Sequence, residues 1–401
     1  MTKQFQILIV GGGNAGLSVA AQLLLKNNTL QIGIIEPNEK HYYQPAWTLV
    51  GAGVYDIKKT EKNEKDFIPK NTTWIKDAVA TFLPEQNEVI CLSGQKIAYK
   101  MLIVCPGIQL DWDKVKGLKE NIGKNSISSN YDFNAAPYTW EIIKNFKGGT
   151  AVFTNPTSPI KCGGAPHKIM YLAIDYWRKQ GILDKCNVQY LSGGSIIFGV
   201  KEYAATLNDV VAKGNIKTNF SVNVVEVDAT NKTVYYLQKN ASGVEERKSM
   251  HFDMLHGVPP QSAPDFIKHS SLADPNNPYG YVEIDKHTLQ HTRYSNIFAL
   301  GDCINAPCSK TGAAIRKQTP VVVQNVMAVL ASQKPESSYD GYSACPIPTE
   351  YGKLMLAEFD YSNIPKMTFP FDQAKPRWTM WLLKTKVLPW LYWNKILKGK
   401  A

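Results

Sequence analysis

Cys162, in the segment TSPIKCGGAPHKIMYL, is the residue whose type and position most clearly indicate chemistry. It stands just before a predicted helix, and the positive end of a helix dipole stabilises a nearby thiolate. The thiolate is the nucleophilic form of cysteine, so this position predicts thiol–disulfide chemistry. Cys345, Cys303 and Cys308 are candidate partners, and spacing alone does not choose among them.

A glycine-rich turn near the N-terminus predicts dinucleotide binding. Gly11, Gly13 and Gly16 form G-x-G-x-x-G between an apolar strand pattern and a helical pattern. These glycines permit a tight turn, the approach of the backbone to a pyrophosphate, and close packing of the helix on the strand. Glu36 ends the second strand 20 residues after Gly16 (36 − 16 = 20), where a carboxylate can bind ribose hydroxyls.

The late pair Gly301-Asp302 favours FAD over NAD as the dinucleotide. It follows the apolar strand pattern SNIFAL, which is typical of a strand that returns to the first domain of a flavoprotein. Its aspartate is then expected to contact the ribityl chain or pyrophosphate of FAD. A helix N-cap is the alternative for Asp302, and both roles are compatible.

A second βαβ pattern lacks the fingerprint that a nicotinamide cofactor needs. The strand GTAVFTNP and the helix 165–180 are joined by a turn that carries two prolines, Cys162 and Gly163-Gly164. We therefore predict, in place of NADH, an electron donor that reacts with a cysteine. His167, on this helix, is interpreted as a surface residue.

The chain is predicted to have an α/β fold with two Rossmann-like dinucleotide-binding domains and a C-terminal membrane-docking region. The FAD-binding domain is discontinuous and comprises residues 1–115 and 291–340. The second domain, 116–290, carries Cys162, and the C-terminal region, 341–401, carries Cys345. A length of 401 residues is consistent with two or three domains.

Composition excludes several classes of protein. Seven cysteines in 401 residues are too few for a disulfide scaffold, and Cys303-x4-Cys308 without a nearby histidine predicts no metal site. The net charge of +11 is spread along the chain, which favours an anionic substrate or membrane surface over nucleic acid. No apolar run of 18 residues and no signal or transit segment is recognised, so we expect no spanning helix.

Several segments together resemble the sulfide:quinone oxidoreductases, most closely the two-cysteine branch that includes the mitochondrial enzyme. The similarity covers nearly the whole chain, and the segments that carry it are residues 11–16, EPNEKHYYQPAWTLVGAG, IKCGGAPHKIMYL, LQHTRYSNIFALGDC, YDGYSACP, LAEFDY and FPFDQ. The resemblance implies non-covalent FAD and a redox pair formed by Cys162 and Cys345. Hydrosulfide would attack Cys345 of a resting disulfide, which can hold an extra bridging sulfur, and release the Cys162 thiolate beside the flavin.

The same matching implies the remaining partners and binding residues. Sulfane sulfur would pass to sulfite, glutathione or polysulfide, and electrons would pass through FAD to a quinone; a homo-oligomer is left open. The flavin site would include Asn14, Ala15, Glu36, Gln44, Val79, Asp302 and Lys310, with Lys168 and Lys384 placing positive charge near the reduced flavin. Candidate quinone-lining residues are Tyr351, Phe369, Phe371, Trp381 and Trp393.

Residues 376–401 combine Trp, Tyr and Leu with Lys and Arg, which is typical of an interfacial membrane anchor. Pro389 is expected to split this stretch into two short helices. The alternative is a helix packed on the core of the protein itself. With no transit segment recognised, we expect peripheral attachment to the cytoplasmic face of a bacterial inner membrane.

Three other functions remain open at the level of sequence. A single-subunit NADH:quinone dehydrogenase would share the fold but needs the missing glycines. The flavoprotein subunit of a flavocytochrome c sulfide dehydrogenase would be exported. A flavin-binding interaction module without turnover would not need Cys162, Cys345 and Asp302 together.

Overall fold

The N-terminal part of the chain forms a sheet that opens with a βαβ unit. A computed structural model describes residues 3–240 and 242–401. The strand order is β5-β2-β1-β8-β7-β6, and β1 pairs in parallel with both β2 and β8. The elements of this part are β1 Lys3–Val10, α1 Asn14–Lys26, β2 Ile32–Ile35, β3 Lys40–Tyr42, α2 Trp47–Gly51, β4 Glu61–Asn63, β5 Thr72–Ile75, β6 Val79–Leu83, β7 Glu88–Cys91 and β8 Lys96–Val104.

The middle of the chain forms a parallel sheet in the order β10-β17-β11-β12-β13, beside an antiparallel sheet in the order β14-β15-β16. The predicted second βαβ unit is confirmed as β11, α4 and β12. The elements are β9 Gln109–Leu110, β10 Ile127–Ser128, α3 Ala136–Asn145, β11 Gly149–Asn155, α4 Ala165–Lys179, β12 Cys186–Ser192, α5 Lys201–Lys213, β13 Lys217–Phe220, β14 Val222–Asp228, β15 Thr233–Lys239, β16 Glu245–His251, β17 Met254–His256, β18 Gln261–Ser262 and α6 Asp265–Lys268.

The chain then returns to the first sheet, where the strand β19, Ile297–Ala299, pairs in parallel with β8. The helix α7, Gly312–Leu330, follows and packs beside α1. The strands β20, Ser343–Glu350, and β21, Lys353–Phe359, form an antiparallel hairpin that packs against α4. Parallel Rossmann-like sheets therefore form the fold, as predicted, while the exact domain boundaries remain a prediction.

The C-terminal stretch is helical from Trp378 to Asn394, without a break at Pro389. The helix α8, Trp378–Leu382, continues into a π-helical segment, Leu383–Val387, and then into α9, Leu388–Asn394. The expectation that Pro389 separates two helices is wrong, because the helical path continues through it. The π-helical segment directly before the proline changes the hydrogen-bond register, which accommodates the missing N–H. Within the described residues, no helix is both long and apolar enough to cross a membrane.

Candidate active site: a dithiol beside a dinucleotide fold

The structure brings two cysteine sulfurs together at the junction of α4 and the β20–β21 hairpin. The Sγ atoms of Cys162 and Cys345 lie 3.4 Å apart, although the residues are 183 positions apart in sequence. Cys345 lies on β20 and is fully buried, whereas Cys162 is partly exposed. The alternative partners point elsewhere: the Cys303 thiol donates to Val104 and Leu300 carbonyls, and Cys308 Sγ accepts a hydrogen bond from Gln318.

Cys162 is held in a conformation that residues other than glycine rarely adopt. Its φ angle is +93°, and the Ala165 N–H donates to its carbonyl oxygen over 2.6 Å. Such backbone strain persists only where surrounding contacts fix it, and it concentrates at functional sites. Here the preceding residue is fixed as well, since the Lys161 N–H donates to Gln261 Oε1 over 2.9 Å.

A buried lysine sits directly on the Cys162 sulfur. Lys168 Nζ donates to Cys162 Sγ over 2.9 Å, and the residue Lys168 is only 4% exposed. The hydrogen bond from Cys345 and the charge of Lys168 together hold the pKa of Cys162 well below its usual range, against the opposing effect of burial. The same hydrogen bond and burial raise the pKa of Cys345. The pair therefore favours the thiolate on Cys162 over the thiolate on Cys345.

Two further residues, Lys384 and His167, are buried. Lys384, in the π-helical segment, is buried and donates to the Pro45 carbonyl over 2.8 Å; burial, followed by the charge of Lys168, lowers its pKa to about 7. His167 was interpreted as a surface residue, which is wrong. It is buried on α4 against Tyr190 and Tyr171, and burial lowers its pKa to about 3, so the imidazole is neutral.

The N-terminal glycine turn has the shape that a dinucleotide requires. Gly11 has φ +104°, and the Gly12 N–H donates to Glu36 Oε2 over 2.8 Å. A Cβ on Gly16 would lie 1.9 Å from the Gly11 carbonyl oxygen, whereas a Cβ on Gly13 would meet nothing within 4 Å. The space over Gly13, at the start of α1, is therefore open for a phosphate group.

Asp302 and Lys310 lie in the segment after β19, the strand that returns to the first sheet. Asp302 follows β19, and burial raises the pKa of its carboxyl group in spite of the charge of Lys310. Lys310 Nζ donates to the carbonyl oxygens of Asp302 and Ile304 over 2.6 and 3.1 Å, so it braces this turn. The start of α7 also approaches the fingerprint, since a Cβ on Gly312 would lie 3.7 Å from Asn14 Nδ2. These residues fit FAD.

The other predicted flavin residues divide into two groups. Gln44 is exposed and accepts a hydrogen bond from Lys161 Nζ over 2.6 Å. Ala15 and Val79 are buried, at the start of α1 and of β6 respectively. Both side chains pack in the hydrophobic core of the first sheet.

Substituting Gly13 with alanine is expected to cost FAD binding without costing the fold. The added methyl group would project into the open space where the pyrophosphate approaches the backbone, yet it would meet no protein atom. We expect the flavin absorbance of the purified protein to fall at least about tenfold relative to protein, while the flavin-free variant melts at the same temperature as the flavin-free unmodified protein. Gly199→Ala, at another open glycine, is the matched control; full flavin content in Gly13→Ala would contradict the assignment.

The five candidate quinone-lining residues are not all brought together. Tyr351 donates to the Ala52 carbonyl over 2.6 Å, and its ring centre lies 6.2 Å from that of Trp381. Phe369 and Phe371 stack on each other with ring centres 5.3 Å apart. Trp393 is separate: it is buried in the core of the first sheet, with its ring 5.1 Å from Phe67.

Comparisons with known proteins give consistent results. Residues 5–139 match the family model of the pyridine nucleotide-disulphide oxidoreductases. A mitochondrial sulfide:quinone oxidoreductase of Dictyostelium discoideum is 46% identical over 397 residues, which is 98% of this chain and 86% of that protein. The mitochondrial sulfide:quinone oxidoreductase of Mus musculus is 41% identical, over 99% of this chain and 87% of the relative.

A solved structure shares the fold at a lower sequence identity. The sulfide:quinone oxidoreductase of the hyperthermophilic bacterium Aquifex aeolicus superimposes with a TM-score of 0.81 at 20% identity, covering 100% of this chain and 92% of that chain. At this identity the likeness describes the fold alone. Function rests instead on the two full-length relatives and on the geometry of the dithiol.

Proposed function

Because this chain belongs to the mitochondrial-type sulfide:quinone oxidoreductases, and so couples sulfide oxidation to quinone reduction, we propose that Cys162 and Cys345 carry its sulfur chemistry. The single observation that carries this assignment is the 3.4 Å distance between their sulfur atoms, with Lys168 Nζ 2.9 Å from one of them. This distance is too long for a disulfide bond and short enough for the pair to close as one or to take up a sulfur atom.

The difference between the two cysteines gives the reaction a direction. In the oxidised pair, hydrosulfide attacks Cys345 Sγ; a new S–S bond forms there, the Cys162–Cys345 bond breaks, and Cys162 leaves as a thiolate. The better leaving group in thiol–disulfide exchange is the thiol of lower pKa. Lys168 and the Cys345 hydrogen bond hold the pKa of Cys162 low, so the persulfide forms on Cys345.

Two further transfers return the pair to its starting state. A nucleophilic acceptor such as sulfite, a glutathione thiolate or a polysulfide takes the outer sulfur and leaves Cys345 as a thiolate. The two thiolates then rejoin as a disulfide and release two electrons. Bound FAD would accept these electrons and deliver them to a membrane quinone. Gly11, Gly13, Gly16, Glu36, Asn14, Gln44 and Asp302 would hold it, with Ala15, Val79 and Lys310 supporting the site and Lys384 placing charge near it.

We propose that the quinone and the membrane meet the protein at the C-terminal stretch. Ten large apolar side chains among the described residues are exposed, and six of them lie between positions 364 and 390: Ile364, Met367, Phe369, Trp378, Val387 and Trp390. The end of this stretch is buried, since Tyr392, Trp393 and Leu397 belong to the core of the first sheet. We infer that the segment is both an anchor and a packed helix, and that Tyr351, Trp381, Phe369 and Phe371 are the better candidates for the quinone path.

Substituting Trp378, Val387 and Trp390 with serine is expected to release the protein from anionic vesicles. Exposed tryptophans at an interface and neighbouring lysines supply much of such binding. We expect at least about a tenfold loss of vesicle partition in a flotation assay, with a normal flavin spectrum. Leu25→Ser with Leu92→Ser, at side chains 62% and 72% exposed elsewhere, is the control; equal binding of both variants would argue against this surface.

The compartment and the assembly state stay predictions. The curated relatives are named mitochondrial, whereas peripheral attachment to the cytoplasmic face of a bacterial inner membrane is our expectation from the sequence. A homo-oligomer remains open, and detergent-solubilised protein in a light-scattering experiment would determine its mass.

The decisive test of the proposed function is an anaerobic titration of the purified flavoprotein. Sulfide should bleach the flavin band near 450 nm, with a long-wavelength thiolate-to-flavin band, and a quinone should restore it. NADH should do neither, because the turn between β11 and α4 carries Cys162 where a nicotinamide fingerprint would lie. Bleaching by NADH alone would replace this proposal with an NADH:quinone dehydrogenase.

A further inference from the structure

Lys161 has no role so far in the glycine fingerprint or in the chemistry of the dithiol. Its Nζ donates to Gln44 Oε1 over 2.6 Å, so the side chain that directly precedes Cys162 reaches a predicted flavin residue of the first domain. The ring centres of Tyr131 and Trp47 lie 5.8 and 6.0 Å from Nζ. Within the described part of the chain, no carboxylate forms an ion pair with Lys161.

The backbone of Lys161 is fixed on both sides. Its N–H donates to Gln261 Oε1 over 2.9 Å, and its carbonyl oxygen accepts a hydrogen bond from the Tyr131 hydroxyl over 3.3 Å. It also forms an isolated β-bridge with Lys310, which braces the Asp302 turn. These contacts fix the backbone from which the Lys161 side chain extends, next to Cys162 and towards Gln44.

Three buried lysines at the site have partners of their own, whereas Lys161 is partly exposed. Lys168 is bound to the Cys162 sulfur, Lys310 to the Asp302 and Ile304 carbonyls, and Lys384 to the Pro45 carbonyl. Lys161 is left with one neutral amide oxygen and the more distant charge of Asp302. Burial lowers the pKa of Lys161 to about 8, opposed by Asp302, so the ammonium form prevails at neutral pH.

Uptake of two electrons and one proton by a bound flavin leaves one negative charge on it. A fixed cation nearby stabilises this charged form over the neutral oxidised form and makes reduction more favourable. We propose that Lys161 is the positioning residue that fixes Gln44 against the flavin and stabilises the negative charge of the reduced cofactor. This inference rests on the proposed flavin site, and it adds Lys161 to Lys168 and Lys384, to which the resemblance gave the same electrostatic role.

The test is the midpoint potential of the bound FAD, measured by reductive dye titration with a chemical reductant. Lys161→Met should lower the equilibrium constant for two-electron reduction at least about tenfold, which is about 30 mV for a two-electron couple. Lys161→Arg should restore a value close to that of the unmodified protein. Lys26→Met, on the last turn of α1, is the control for removing a lysine charge elsewhere.

The outcomes separate this inference from the proposed function. The chemical reductant does not use the dithiol, so the potential is informative even if sulfide fails to bleach the flavin. An unchanged potential in Lys161→Met with FAD bound would overturn the inference. An equal loss of affinity for oxidised and for reduced FAD in Lys161→Met and Lys161→Gln would overturn it too, because the lysine would then hold both redox forms alike.

Discussion

Cys162→Ser and Cys345→Ser are each expected to lower sulfide-dependent quinone reduction more than about 10³-fold while FAD stays bound. Loss of a covalent nucleophile has effects of at least this size in other enzymes. A hydroxyl group forms neither the disulfide nor the persulfide, so either substitution interrupts the relay at its first step. Steady-state reduction of a soluble quinone analogue, with the flavin spectrum of the same samples, measures both properties.

The two variants should differ in their spectra, which tests the roles separately. Cys345→Ser keeps the Cys162 thiolate and its Lys168 partner, so its oxidised form should show a long-wavelength band without added sulfide. Cys162→Ser should lack that band. Cys186→Ser is the control and should keep full turnover, because the partly buried Cys186 thiol only donates a hydrogen bond to the Ile182 carbonyl. Turnover near normal in either variant would refute the proposed relay.

Much of the fold could be predicted from the sequence because its signals are local. The apolar run 5–10, the glycines and the helix pattern after them give β1 and α1, and the strand before Gly301-Asp302 gives β19. Burial on both faces makes parallel strands continuous apolar runs, which are easy to recognise. The position of Cys162 before α4 follows from the same local pattern.

The partners of the functional residues were harder to predict, because they come from distant parts of the chain. Spacing alone did not choose among Cys303, Cys308 and Cys345 as the partner of Cys162. The family resemblance implied Cys345, and the packing of β20 on α4 brings its sulfur to Cys162. His167 was misjudged because α4 is covered on most sides, so a polar side chain does not mark its surface. Lys161 had no signal of its own apart from its position next to Cys162.

The C-terminal stretch shows how tertiary context changes a sequence signal. Aromatic residues and lysines alone do not say which face of a helix is buried. Tyr392 and Trp393 pack into the first core, and the Ser18 hydroxyl donates to the Ile396 carbonyl over 3.1 Å, so this end of the chain is also structural. Deleting residues 376–401 would therefore remove core side chains, which is why point substitutions are the better membrane test.

Lys168→Met is expected to move the acidic limb of the rate profile for flavin reduction by sulfide to higher pH. Lys168 is one of the causes that hold the pKa of Cys162 low. Burial opposes the charge of Lys168, but the interactions with the Cys162 and Cys345 sulfurs outweigh burial and raise its pKa. Without the ammonium group the pKa of Cys162 rises, so less thiolate is present at neutral pH and Cys162 becomes a poorer leaving group.

The rate at pH 7 should fall about 10²-fold, as for other buried electrostatic contacts at reacting atoms, and should recover partly as the pH is raised. The intensity of the long-wavelength band against pH gives an independent titration of Cys162. Lys168→Arg, which keeps a cation, should leave the midpoint of that titration closer to the original. An unchanged profile in Lys168→Met would mean that the Cys345 hydrogen bond, the charge of Lys384 and the start of α4 suffice to stabilise the thiolate, because these groups also favour its charge.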